Sequence, residues 1–409
     1  MKRIVLAYSG GLDTSIAIPW LMERHQAEIV TVTIDLGQGK ELEEVRDRAL
    51  ATGAARAHVL DSREEFARDF VLSSLKADAI YEDRYPLATA LSRPLIASRV
   101  VEIAGIEQAD AVAFGCSGKG NDQIRFELAT RALAPHLRVI VPAREWGITR
   151  HQKIDYARER GIPVPATDDS PYSTDANLWG RAVNAGVLED PAQEPPEEIY
   201  SLTKSPEKCP NEPGRVDITF DQGVPVAING VTMPLVELIS SLTTIAGAHG
   251  VGRTDVVENR LVGIKSREVY EAPAATVLHA AHLELQKLVT ARDLTRLCSV
   301  MSERYADVIY DGLWFTPMRE ALDAFFDSVQ ARVTGIVRLR FWKGNCDIVA
   351  RQSPWSLYDR SLATYEEGDR FDTSAAAGFI RIFGLPVETA ARNKPTAPTA
   401  PLHLTTPHS

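Results

Sequence analysis

Apolar residues in the first 165 positions fall in short runs separated by segments of helical length. The runs Arg3–Tyr8, Glu28–Asp35, Ala57–Leu60, Ala111–Gly115 and Leu137–Val141 read as strands. They are nearly continuous rather than alternating, the pattern of parallel strands covered on both faces by helices. Ser62 with Glu65 predicts a capping box ahead of an apolar stripe at Phe66, Phe70 and Leu75. In such a sheet a ligand lies beyond the carboxyl ends of the strands.

The pattern changes between about 161 and 215, where Pro191, Pro195, Pro196, Pro206, Pro210 and Pro213 mix with glutamates. A connection of this length is read as functional or as a crossing between domains. Beyond it, Val216–Phe220 and Val224–Ile228 predict a hairpin followed by an Asn229-Gly230 turn. Ile336–Trp342 and Cys346–Arg351 predict a second hairpin around Lys343-Gly344-Asn345. Helical spacing covers about 234–247, 276–291 and 317–332. Strands and helices no longer alternate strictly, so this half is α+β. The tail from about 392 is rich in Pro and Thr and is read as disordered.

Composition narrows the function. The 409 residues carry 45 basic and 55 acidic side chains, a net charge of −10. That balance argues against a dedicated nucleic-acid binder. Cys116, Cys209, Cys298 and Cys346 are scattered without a C-x-x-C pair, which speaks against a zinc ribbon and fits a reducing, cytoplasmic setting. No apolar run approaches the roughly 18 residues of a membrane helix.

The strongest local signal is Ala7-Tyr8-Ser9-Gly10-Gly11-Leu12-Asp13-Thr14-Ser15, directly after the first strand. Two glycines allow a tight turn and close approach to an anion. The helix that follows points free N–H groups back at the loop, and Ser9, Thr14 and Ser15 add hydroxyls. This is a nest for phosphate or pyrophosphate, and it is not a Walker A loop. An acid at Asp13 makes sense if it holds Mg²⁺ or a helix-start N–H. The string resembles the loop of the N-type ATP pyrophosphatases, which cleave ATP between its α and β phosphates and adenylate a carbonyl-type oxygen.

A second glycine-rich string, Phe114-Gly115-Cys116-Ser117-Gly118-Lys119-Gly120-Asn121-Asp122-Gln123-Ile124-Arg125-Phe126-Glu127, follows a later strand. Asn121 and Arg125 are four apart and share a helical face. Arg125 can fork onto a carboxylate and Asp122 can hold an ammonium, a pairing that suits amino acids. The blander alternative is a capped helix with an Arg–Glu surface pair.

Together the two strings resemble the argininosuccinate synthase family. Asp83-Arg84-Tyr85-Pro86-Leu87, Ser92-Arg93-Pro94, Ser170-Pro171-Tyr172-Ser173, Val187–Pro191, His249–Arg253, Val257–Arg260 and Lys265–Glu271 extend the likeness over about residues 3–385. The resemblance implies an AMP-forming ligase that joins citrulline and aspartate at the expense of ATP, through a citrullyl-adenylate, in arginine biosynthesis. It implies an ATP-binding domain over 1–165, a synthetase domain over 166–365 and an oligomerisation segment over 366–391, ahead of the tail over 392–409 read from composition. By matching strings, Ala7 through Ser15, with Ile34 and Gly115, meet ATP. Ser117, Asn121 and Asp122 hold aspartate. Tyr85, Asn121, Arg125, Ser173, Glu258 and Tyr270 hold citrulline. Asp13, Asp122 and Arg125 are the residues closest to the chemistry, with Mg²⁺ accompanying ATP, no protein-held metal, no nucleic acid and no membrane. The family assembly implied is a homotetramer.

Some positions depart from the family pattern. Ala90 and Ala182 stand where many members carry serines, Ser117 replaces a threonine, Ile34 replaces a small alanine, and the Pro/Thr-rich end differs from the usual helical arm. Thr89 or Ser92 is the candidate to replace the hydroxyl missing at Ala90. His249 is read as structural. Alternatives are a related pyrophosphatase acting on another ureido or amide substrate, and a non-catalytic nucleotide or amino-acid sensor.

Overall fold

Alternate residues of the first strands face two different cores. In the computed structural model, which describes residues 2–39, 42–116, 120–147, 149–163 and 171–394, β1 (Arg3–Ala7) is the central strand of a five-stranded sheet. Its neighbours are β2 (Glu28–Asp35), β3 (Arg56–Asp61), β4 (Ala111–Phe114) and β5 (Arg138–Ile140), in the order β3-β2-β1-β4-β5 with every pair parallel. Val5, Val30, Val32, Val112 and Phe114 pack on one side with Phe66, Phe70, Leu91 and Leu95. Ile4, Leu6, Ile29, Ala111 and Ala113 pack on the other with Ala17, Ile18, Leu21, Val45 and Ala49. Both faces are covered, which explains why these strands lack polar alternation.

The chain runs from β1 to β2 on one side and returns to β4 on the other, so the switch point lies between β1 and β4. Ala7 is in register with Phe114, and the loops after the two strands therefore leave the sheet at one level. Open α/β sheets bind their ligands at such a point.

Two antiparallel sheets follow. β6 (Tyr172–Asn177), β7 (Gly180–Ala185), β11 (Arg253–Asn259) and β12 (Lys265–Glu271) form one in the order β11-β12-β7-β6. β8 (Gly214–Asp221), β9 (Val224–Ile228), β10 (Val231–Thr232), β13 (Gly335–Trp342) and β14 (Asn345–Gln352) form the other in the order β10-β9-β8-β13-β14. Both expected hairpins are present. Gln222-Gly223, Asn229-Gly230 and Lys343-Gly344 all take positive φ at both turn residues, as tight two-residue turns require. The expected helices occur as Leu235–Ala248, Pro273–Val289 and Pro317–Gln330.

Three local readings need correction. The Pro-rich stretch holds structure of its own, the β6–β7 hairpin and three short 3₁₀ turns. The capping box does not form. Ser62 sits at φ −122, ψ 20 and its side chain caps nothing, while Arg99 Nε bonds Glu65 Oε2 at 3.0 Å. The helix widens into a π segment at Phe66–Val71, which buries Phe66, Phe70 and Leu75 together. The helix Arg292–Tyr310, which periodicity did not single out, delivers Tyr310 to the site.

The chain divides into two compact units, Met1–Leu357 and Tyr358–Ser409. The described part of the second holds the helices Arg360–Ala363, Thr373–Phe383 and Leu385–Arg392. Phe379 and Phe383 stack there at 5.2 Å, and Phe379, Ile380, Ile382, Phe383, Leu385 and Val387 are exposed. The tail from 395 onward lies outside the described residues. Among the described residues no helix is long and apolar enough to cross a membrane.

Candidate active site

The first loop is shaped by one glycine with a positive φ. Gly10 sits at φ +74, and a Cβ there would lie 3.0 Å from Val45 Cγ1. The turn carries the chain into α1 (Leu12–His25), whose first backbone bond runs from Ser15 N to Gly11 O at 3.0 Å. Gly11 is the N-cap and supplies no side chain, so the N–H groups of Leu12, Asp13 and Thr14 precede the helical ladder. Ser9 Oγ, Thr14 Oγ1 and Gly11 form a tight polar knot, with Ser9 Oγ to Thr14 Oγ1 at 3.2 Å and Thr14 Oγ1 to Gly11 O at 3.2 Å. Tyr8 OH meets Ser15 Oγ at 3.0 Å, and both residues are buried. Leu12 packs with Ile16, Ala157 and Ile162, so only its backbone is available to a ligand. Ile34 is buried near the end of β2, and its carbonyl accepts from Gln38 Nε2 at 2.9 Å.

Gly115 follows β4 and touches this loop. A side chain there would collide with Thr14 Cγ2, which makes Gly115 a contact between the two strand tips. Asn121 then occupies the N-cap position of the helix Asp122–Leu133, but its side chain does not cap. Its Oδ1 accepts from Leu261 N at 2.9 Å, tying the turn to the β11–β12 loop. The surface-pair reading of Arg125 is also set aside, because Arg125 is buried. Arg125 Nη1 bonds Asp122 Oδ1 at 3.0 Å and Nε bonds Tyr310 O at 2.8 Å. Its Nη2 is buried without a partner among the described residues. An unmet charged N–H costs about 1–3 kcal/mol or more, so this is a donor suited to an incoming carboxylate. Ser117 lies outside the described residues.

Arg93 completes the ionic cluster, and motif reading gave it no role. It bonds Asp122 Oδ2 at 2.8 Å and also Asp175 of β6. Burial works to raise the Asp122 carboxyl, but Arg93 and then Arg125 outweigh it and hold Asp122 below the usual carboxylate range. Burial raises the Cys116 thiol to about 12, so this cysteine at the same strand tip is no nucleophile at neutral pH.

The third wall is one face of the β11-β12-β7-β6 sheet. Asp175 pairs with Ala182 and Ala182 with Tyr270, so the three side chains share a row. Ser173, two residues before Asp175, shares that face and is exposed. Tyr270 OH donates to Glu258 Oε2 at 2.6 Å, and Tyr310 OH lies 2.8 Å from Glu258 Oε1. Burial raises the Glu258 carboxyl, and the two phenols only partly offset it. Tyr85 stacks on Tyr270 at 4.2 Å, Tyr81 stacks on Tyr310 at 3.6 Å, and Arg125 lies 4.8 Å over the Tyr310 ring.

The segment bearing Tyr81 and Tyr85 is anchored from several sides. Trp179 Nε1 bonds Pro86 O at 2.9 Å and Asn177 Nδ2 bonds Ala88 O at 2.8 Å. At its start, Asp78 Oδ1 meets His282 Nδ1 at 2.9 Å inside the core. Tyr85 OH takes the N–H groups of Thr89 and Ala90 at 2.9 and 3.2 Å, fixing the start of the helix Ala88–Ile106. Ser92 Oγ donates to Thr89 O at 2.7 Å and accepts from Arg93 Nη1 at 3.2 Å. His249 caps the C-terminal end of the helix Leu235–Ala248, its ring 6.3 Å from that of Phe341.

The sequence-derived residues thus fall into two groups, the phosphate nest at the β1 tip and a buried ionic and phenolic cluster around Asn121, Asp122, Arg125, Glu258, Tyr85 and Tyr270. Asp175, Tyr81 and Tyr310 join them from outside the quoted strings, and Arg93 joins them from a string that gave it no role.

A parallel sheet with a nest at its switch point, followed by antiparallel sheets that carry the ionic cluster, marks the class as an ATP-dependent ligase on a HUP-type nucleotide domain. Residues 3–163 match the family model described as Arginosuccinate synthase N-terminal HUP domain, and residues 172–390 match Arginosuccinate synthase C-terminal domain. The argininosuccinate synthase of Symbiobacterium thermophilum is 54% identical over 95% of this chain and 98% of its own length. Those of Dictyoglomus turgidum (53%, covering 94% and 96%) and Rubrobacter xylanophilus (52%, covering 98% of each) are similar. The chain belongs to the argininosuccinate synthase family.

Proposed function

We propose that this chain condenses citrulline with aspartate, using ATP, to give argininosuccinate, AMP and pyrophosphate. The observation that carries the reading is the register of Ala7 with Phe114, which brings the phosphate nest and the ionic cluster out of the sheet side by side. A ureido carbon is a weak electrophile, and adenylation converts its oxygen into a leaving group. The ureido oxygen attacks the α-phosphorus, the bond to the β-phosphate oxygen breaks, and pyrophosphate leaves. The aspartate amine then attacks the activated carbon and AMP departs. Positioning and charge stabilisation supply the catalysis.

In this reading the free N–H groups of α1 and the hydroxyls of Ser9 and Thr14 take the phosphates, with Ile34 and Gly115 beside the nucleotide. Arg125, through its unpartnered Nη2, takes the citrulline carboxylate, and Glu258 takes its ammonium. Tyr85, Tyr270, Asn121 and Ser173 frame the ureido chain. Asp122, with Asn121 and Ser117, takes the aspartate ammonium. Mg²⁺ accompanies ATP and neutralises phosphate charge when bound. Asp13, the carboxylate in the nest loop, would be the group to hold it, and no group of three His, Cys, Asp or Glu among the described residues forms a protein cage for a metal. We further propose a division into nucleotide and synthetase domains near residue 165, and a cytoplasmic setting, consistent with four free thiols. A homotetramer would form through the apolar residues of Thr373–Phe383 and Leu385–Arg392, the segment assigned to oligomerisation.

Pyrophosphate release from Mg-ATP tests the reaction. Release dependent on citrulline, with argininosuccinate formed only when aspartate is added, is the expected result. Release with a different acceptor only, or ATP binding without turnover, overturns it.

A further inference from the structure

Asp13 is ion-paired in a place where an ion pair is poorly motivated. It is the second residue of α1, and a carboxylate there is already favoured by the positive end of the helix. Yet Lys153 Nζ sits 2.8 Å from Asp13 Oδ1, bringing a second positive charge to that end. The Lys153 side chain is 17% exposed and Asp13 45%, so the lysine reaches up from a covered position to the mouth of the loop.

The position of Lys153 is built into the fold. Thr149 and Gln152 form a full capping box that starts the helix Arg150–Glu159. Ile154, Tyr156 and Ala157 pack this helix against Leu12 and Ile16 of α1. The Lys153 ammonium lies 5.6 Å from the Trp146 ring centroid, an attractive contact that limits the directions it can take. A further cation, Arg48 of the helix Leu42–Ala51, donates to Gly10 O at 2.7 Å in the same loop. The nest therefore gathers a helix N-terminus, an ammonium and a guanidinium around one carboxylate. That excess of positive charge is matched by a polyphosphate rather than by Asp13 alone.

We propose that Lys153 binds the β- and γ-phosphate oxygens of ATP, exchanging its Asp13 partner for them when the nucleotide enters, and that it stabilises the departing pyrophosphate. The proposal deepens the reading given above and rests on ATP being the ligand of the first loop. As the ureido oxygen bonds to the α-phosphorus, the bond from that phosphorus to the bridging oxygen breaks. Its electron pair stays on the pyrophosphate, whose added negative charge faces the Lys153 ammonium. No proton is transferred to or from Lys153.

The test is calorimetric binding of ATP, AMP and inorganic pyrophosphate to the full chain and to its Lys153→Ala and Lys153→Arg variants. AMP lacks the phosphates that Lys153 grips. Lys153→Ala is expected to weaken ATP and pyrophosphate binding by about tenfold or more, while AMP binding moves by less than about twofold. Lys153→Arg, which keeps the charge, recovers part of the loss. A merely structural pair would lower the melting temperature and leave the ratio of ATP to AMP affinity where it was. An unchanged ratio, or equal weakening of AMP and pyrophosphate, overturns the proposal. These measurements need no acceptor, so wild-type protein that binds ATP but releases no pyrophosphate with citrulline would overturn the reaction while the Lys153 assignment is judged by its own ratio.

Discussion

The phosphate nest and the substrate wall solve similar recognition problems with different materials. The nest is nine consecutive residues, Ala7–Ser15, and its chemistry is mostly backbone: one left-handed glycine and the open end of a helix. The wall around Glu258 is side chains alone, drawn from Tyr85, Arg125, Glu258, Tyr270 and Tyr310, which meet only through sheet register and helix packing. A backbone site tolerates change in the residues around it but not in the turn. A side-chain site can lose or gain single hydroxyls and be retuned, a property the Ala182 substitution below puts to the test.

The largest effect should come where the two regions meet. Asp122 is proposed to pair with the aspartate ammonium, and losing one partner of a covered charge pair costs about 2–5 kcal/mol, whereas Arg125 keeps its bond to Tyr310 O at 2.8 Å and with it its place against citrulline. Asp122→Ala is therefore expected to reduce argininosuccinate formation by roughly thirtyfold or more. Citrulline-dependent exchange of pyrophosphate into ATP, measured without aspartate, should fall much less. Equal loss of both activities would remove Asp122 from the aspartate subsite.

Next comes the turn itself. Gly10→Ala forces a side chain into the left-handed region, at about 1–2 kcal/mol, and against Val45. The expected outcome is a KM for ATP raised about tenfold with the KM for citrulline little changed. If both KM values rise together, the two regions are coupled through the β1 and β4 tips rather than separable.

This difference in materials also decides what the sequence discloses. The parallel sheet was legible because continuous apolar runs have few other uses, and the nest was legible because its residues are adjacent. Of the wall, Arg125 was legible from its spacing to Asn121, Tyr85, Glu258 and Tyr270 only by resemblance, and Tyr310 not at all. Glu258 and Tyr270 sit on β11 and β12, whose strings Arg253–Asn259 and Lys265–Glu271 mix charged and polar residues with a few adjacent apolar ones and show no apolar alternation. Ser173 and Asp175 lie in a stretch whose prolines disguised a hairpin. Arg93 and Tyr310 acquire meaning only from helices placed by tertiary packing, 29 and 52 positions from the partners they bond. The Ser62–Glu65 box failed for the same reason, since Arg99, far along the chain, claimed Glu65.

A smaller effect tests the phenolic shell. Tyr310→Phe keeps the ring under Arg125 and against Tyr81 but removes the hydroxyl beside Glu258, a loss of about 1 kcal/mol. The KM for citrulline should rise roughly fivefold at neutral pH, with the KM for ATP unmoved. The sign of the pH dependence follows from the carboxyl. Burial already raises Glu258 above its ordinary value, and the two phenols favour its ionised form. Losing one phenol raises it further, so the carboxylate needed for an ammonium is protonated at a higher pH. The variant's citrulline KM should climb earlier than wild type as the pH falls below neutral. Parallel profiles would mean that Tyr310 does not act through Glu258.

The smallest expected change asks whether the wall can be retuned one hydroxyl at a time. Ala182 lies in register with Asp175 on one side and Tyr270 on the other, so a hydroxyl there would enter the row proposed to frame citrulline. The site is tight, because Ala182 is buried and Tyr270 already bonds Glu258. One added hydrogen bond contributes about 0.5–1.5 kcal/mol, and the desolvation of the new hydroxyl takes back part of it. Ala182→Ser is therefore expected to lower the citrulline KM by about two- to threefold, leaving the maximal rate and the KM for ATP in place. A raised KM would show that the alanine is matched to its neighbours, and that the wall, like the nest, has one shape it can hold.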